Sequence, residues 1–80
     1  MAKLYKVYSK YGGNNPKNIT GYVLIQADDL EEAKKGQIAA EFPITPAYDK
    51  HTQELRAEKF ADYLNKIVEM TNDLEKGQSI

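Results

Sequence analysis

The residues of this chain best suited to chemistry on a partner are tyrosines interleaved with lysines in its first third. Lys6, Tyr8, Lys10, Lys17 and Tyr22 form this set. Aromatic rings stack on bases and ammonium groups neutralise phosphates, the combination used by RNA-binding sheets. The match is generic. No arginine and no RNP-like sequence occurs in this region, and the whole chain carries a net charge of −1. Tyrosines are also common on exposed antiparallel faces, where their rings cover lysine stems.

Other chemistry-bearing residues are sparse. His51 is the only histidine, so a two-histidine metal site is excluded, and with no cysteine present thiolate sites and disulfides are excluded as well. A general base at His51 would need a nucleophile nearby, and its neighbours Asp49, Lys50 and Glu54 read as a solvated helical turn. Ser9 and Ser79 are the only serines, and neither makes a serine–histidine–acid pattern. Gly12-Gly13 with Lys17 lacks both phosphate-loop spacings and leads towards a strand rather than a helix N-terminus. The carboxylate pairs Asp28/Asp29 and Glu31/Glu32 lack calcium-loop spacing and are explained by helix capping. No enzyme, cofactor or metal is expected from these residues.

The elements that must position the tyrosines and lysines follow from periodicity. Residues 3–11 alternate, with Tyr5, Val7, Ser9 and Tyr11 on one face and Leu4, Lys6, Tyr8 and Lys10 on the other, which reads as a strand. The turn formers of 12–18 are too many for a two-residue hairpin turn. A second strand is expected over 19–27, with Ile19, Val23, Ile25 and Ala27 inward and Thr20, Tyr22, Leu24 and Gln26 outward. Asp28 or Asp29 then caps a helix over 29–41, each with a glutamate three residues on. Leu30, Ala33, Gln37 and Ala40 give it a modest stripe. Gly36 inside it costs about 1 kcal/mol relative to alanine, unless another backbone approaches there.

Pro43 and Pro46 break the pattern, and Thr45-Pro46 has the character of a helix cap and first position. A long amphipathic helix is expected over about 50–76, closed by Lys76 and Gly77 before a loose tail. Tyr48 and Leu55 fall off its apolar stripe, so residues 46–54 either form a separate turn or pack against something the stripe does not touch, and the helix starts between 46 and 52. The stripe itself comprises Ala57, Phe60, Ala61, Tyr63, Leu64, Ile67, Val68, Met70, Thr71 and Leu74. It covers about half the helix circumference, against the ≳ 100° typical of a helix with one packed face.

The expected architecture is α+β, a single β-β-α-α domain over residues 1–80. Eighty residues bury only a thin core. With disulfides, thiolate metal sites and two-histidine sites excluded, oligomerisation is the remaining staple, beside ordinary packing. Charge is uneven along the chain. Residues 1–27 hold four lysines and no acid, whereas the rest holds seven bases against twelve acids. The longest apolar run, Tyr22–Ile25, is far short of the ~20 residues that span a bilayer, so no membrane association is expected. The N-terminus lacks a signal-peptide core, and the sequon at Asn18 is then coincidental. A cytoplasmic location is expected.

Taken together these features favour a non-enzymatic module that works by protein–protein binding as a homodimer. Two strands leave two unpaired edges, and tyrosine and leucine suit an interface. The expected contacts are Tyr8, Tyr22 and Leu24 on the hairpin and Tyr63 and Met70 at the margin of the helix stripe. Nucleic-acid binding through the tyrosine–lysine face is the alternative. A composition rich in lysine, asparagine, isoleucine and tyrosine fits A/T-rich coding, as in a low-GC bacterium, its phage or a mobile element, where an accessory or inhibitor protein of this size would be at home.

Overall fold

The computed structural model describes residues 2–13 and 17–78, with side chains as far as Leu74. Asn14, Asn15 and Pro16 of the expected turn and residues 79–80 of the expected tail lie outside the described residues. Five elements follow one another: β1 (Tyr5–Tyr11), β2 (Ile19–Gln26), α1 (Leu30–Lys35), β3 (Ile38–Pro43) and α2 (Lys50–Gln78). The three strands make one antiparallel sheet in the order β1-β2-β3, so the architecture is α+β. Among the described residues no helix is long and apolar enough to cross a membrane.

The third strand corrects the helix expected over 29–41. Its start is as expected: Asp29 is the N-cap, its Oδ1 accepting the Glu32 amide at 2.8 Å. The Glu32 carboxylate accepts the Asp28 amide at 3.1 Å. The helix nevertheless ends after six residues, where Gly36 donates to the Ala33 carbonyl. A side chain at Gly36 would place its Cβ 2.8 Å from Ile25 Cγ2, so the chain passes hard against β2 and leaves the helix there. Ala39 and Ala40 are good helix formers, but the open side of β2 needs a partner, and tertiary pairing overrides propensity. As a strand, this stretch turns Ala40 and Phe42 onto the core.

Register decides which face is which. Val7 stands opposite Leu24 and Tyr8 opposite Val23. Tyr5, Val7, Tyr22 and Leu24 therefore share the face under α2, packed with Ala57 and Ala61. Tyr8, Val23, Ile25 and Ala27 share the other face, under Ala33 of α1. The expected outward set is thus corrected, because Tyr22 and Leu24 are the centre of the α2-side core and Leu24 has no exposed surface. Ile19, expected with Val23, instead joins the α2 side beyond a register shift at Lys10/Tyr11. Residues 21–25 are all buried, as a central strand covered on both faces requires. Gly21 is needed within it, since a Cβ would stand 2.9 Å from the Phe42 carbonyl oxygen and from Pro43 Cα.

Helix α2 begins at Lys50, close to the expected start. Asp49 caps it, its carboxylate accepting the Thr52 amide at 2.8 Å. These hydrogen bonds, from the Thr52 backbone first and its side chain second, hold the Asp49 pKa below its ordinary value. Thr45 does not cap the helix but closes a separate turn, its carbonyl and hydroxyl both accepting the Tyr48 amide. At its other end α2 runs through Gly77 to Gln78, past the glycine expected to stop it.

Candidate interaction surface

The broad apolar arc expected of α2 divides into two stripes of different size. Small residues face the sheet: Ala57, Ala61 and Val68 are buried, and the two alanines let Tyr22 and Leu24 reach up between them. Leu64 lies half-buried in the same row, and the remaining large apolar residues point to the side. Phe60, Tyr63, Ile67, Met70 and Leu74 are 42, 63, 46, 65 and 66% exposed. Their spacing is 3, 4, 3 and 4 residues, which keeps them on one line of the helix. At about 100° per residue, this line lies roughly a quarter turn from the sheet-facing direction, on the side of β3. Together these side chains make a contiguous exposed apolar stripe along α2.

The N-terminal end of the stripe is held in place. Phe60 meets Phe42 edge-on with ring centroids 5.9 Å apart. The Arg56 guanidinium lies over Tyr48 at 4.3 Å and near Phe42 at 6.0 Å, so the off-stripe Tyr48 finds its partner there. Arg56 also donates to Gln53 Oε1 at 3.1 Å, and buried Gln53 donates to the Pro43 carbonyl at 2.6 Å. These contacts line a shallow cleft of about 330 Å³ between Phe42 and the stripe.

On the opposite side of α2, two asparagines seven residues apart hold the N-terminal strand. Asn65 accepts the Tyr5 amide at 2.6 Å and donates to the Tyr5 carbonyl at 2.9 Å. Asn72 does the same to Ala2, at 3.1 and 3.3 Å. The β1 edge is therefore occupied at Tyr5. The β3 edge is blunted differently. Ile44 donates to the Thr20 carbonyl, so by alternation Glu41 and Pro43 point their backbone groups outward. Pro43 has no amide hydrogen and its carbonyl is taken by Gln53. The pairing steps from Leu24↔Ala40 to Ile25↔Ile38, which leaves Ala39 as a bulge. Proline and bulges are means by which sheets discourage edge pairing.

The other expected contact residues are distributed unevenly. Tyr63 and Met70 stand exposed on the stripe. Tyr22 is only 4% exposed, and its hydroxyl donates to Glu54 at 3.0 Å. Burial first and this carboxylate second push its pKa above 10.0. Tyr22 and Leu24 therefore leave the candidate surface, because both are covered by α2. Tyr8 is half-buried beside α1, within an apolar groove of about 410 Å³ shared with Leu30 and Ile38. Lys6 donates to the Asp28 carbonyl, and Lys10 pairs with Glu41 at 3.5 Å. Tyr22 is on the far face from Tyr8, Lys6 and Lys10, so the tyrosine–lysine set does not form one surface. His51 is exposed in the first turn of α2, and among the described residues no cluster of three acids or histidines could hold a metal.

Phe60, Ile67 and Leu74, members of the expected stripe but not among the expected contacts, are exposed with Tyr63 and Met70, and Gln53, Asn65 and Asn72 make contacts that the periodicity does not mark. The signal for the first group was the division of the arc into alanines and large residues. The signal for the asparagines was their heptad spacing at the flank of the stripe. No protein-family model matches the chain, and no curated protein or solved structure shows significant similarity to it.

Proposed function

We propose that this chain is a non-enzymatic interaction module that works by protein–protein binding as a homodimer, with the Phe60–Leu74 stripe of α2 as its contact surface. One observation carries this reading: Phe60, Tyr63, Ile67, Met70 and Leu74 of α2 are exposed on one line of the helix while its alanines face the sheet. Five such side chains expose on the order of 500 Å² of apolar surface. Packed against an equal patch, they bury about 1,000 Å² in total, the lower limit for a specific interface. Association through such a patch should be visible by sedimentation at ~100 µM. Ile67→Glu places a charge at the middle of the stripe without touching the sheet-facing row. It should leave the circular dichroism spectrum unchanged and shift the sedimenting mass to that of a monomer. A wild-type chain that is strictly monomeric at that concentration defeats the proposal.

A further inference from the structure

We infer that the second copy packs antiparallel along α2, about a two-fold axis close to Ile67, a geometry that rests on the self-association proposed above. The stripe is nearly symmetric about Ile67: Phe60 and Leu74 lie seven residues to either side, and Tyr63 and Met70 lie four and three away. Reversing one helix against the other sets Phe60 opposite the partner's Leu74 and Tyr63 opposite the partner's Met70, with Ile67 meeting its own copy. Each aromatic ring then packs on an aliphatic or thioether side chain, and sulfur–aromatic contact is favourable.

The charges flanking the two ends of the stripe have the same polarity, while Lys66 near the axis faces its own copy. On the flank away from the sheet the exposed residues run Lys59, Lys66, Asp73 from N- to C-terminus. An axis at this place puts Lys59 beside the partner's Asp73, and Asp73 beside the partner's Lys59. Opposed helix dipoles add to the preference. A parallel pair matches neither charge. The sheets also fit. Sheet-facing burial on α2 is centred on Ala57 and Ala61 and ends at Val68. The axis lies about eight residues, or ~12 Å, beyond that centre, so the two sheets sit at opposite ends of the helix pair instead of colliding.

The chain has no cysteine, so single-cysteine variants report this geometry directly. Lys59→Cys and Asp73→Cys alter exposed positions whose charge pair contributes little to affinity. They are treated with a bismaleimide spanning ~10 Å, separately and as an equimolar mixture. In the antiparallel pair, Lys59 is separated from its own copy by about 15 residues along the axis, ~22 Å, and is out of reach. The expected result is cross-linked dimer in the mixture and at least tenfold less in either variant alone. Efficient cross-linking of Lys59→Cys to itself overturns the antiparallel geometry. So does the absence of any cross-link while sedimentation still shows a dimer, an outcome that leaves self-association standing. A monomeric mass overturns self-association itself.

Discussion

Replacing Asn65 with alanine tests the claim that a side-chain amide, rather than a neighbouring strand, holds the start of β1. Asn65 makes two hydrogen bonds to the backbone of Tyr5, at 2.6 and 2.9 Å, in a part-buried position. Each is worth about 1 kcal/mol net, and the loss is larger where the groups left behind regain water poorly. The expected destabilisation is about 2 kcal/mol, or ~8–16 °C in Tm for a domain of this size. Asn72 makes the same pair of bonds to Ala2, but longer and exposed, so Asn72→Ala should cost about 0.5 kcal/mol. The two sites lie two helical turns apart, and the double variant should be additive. Urea denaturation followed by circular dichroism measures all three, at one protein concentration because self-association raises apparent stability. Amide exchange at Tyr5 should accelerate in Asn65→Ala and not in Asn72→Ala. A loss below ~0.3 kcal/mol for Asn65→Ala, or equal losses at the two positions, would refute the reasoning.

Three further outcomes follow from the core and the caps. Gly21→Ala forces a methyl group against the β3 backbone, within 2.9 Å of Phe42 and Pro43. It should destabilise by about 1–3 kcal/mol in urea titration, although alanine is otherwise the better strand residue. Tyr22 is held neutral by burial and by Glu54, so its folded pKa lies above the unfolded one. The stabilisation is complete below pH 10.0 and is lost as pH rises through the folded value. Tyr22→Phe should therefore flatten the alkaline limb of the stability–pH curve. Asp49 has the opposite sign, with its folded pKa lowered from 3.8. Its charge stabilises above that value and ceases to do so as pH falls through the folded one. Since asparagine also caps helices, the stability difference between wild type and Asp49→Asn should shrink below pH 3.8 and vanish at lower pH.

What the sequence determined by itself was local. Alternation marked β1, an apolar run between turn formers marked β2, the Asp28–Asp29 pair with its glutamates marked the start of α1, and the 3.6-residue period marked the body of α2. These signals arise between neighbours in the chain, so the chain alone carries them. Tertiary structure decided the third strand, because Ala39 and Ala40 accept either helix or strand and only the open side of β2 distinguishes the two. It decided which hairpin face is buried: the register sets Val7 against Leu24, and α1 and α2 then cover opposite faces of one central strand. The uninterrupted run Tyr22–Ile25 hinted at this, since a strand with one wet face alternates. Tertiary structure also divided the arc of α2. A hydrophobic period records that a face is apolar and not how closely another element can approach it. The alanines admit β2 to contact, and the rings, Ile67, Met70 and Leu74 are left in the water because the sheet is too narrow to reach around to them.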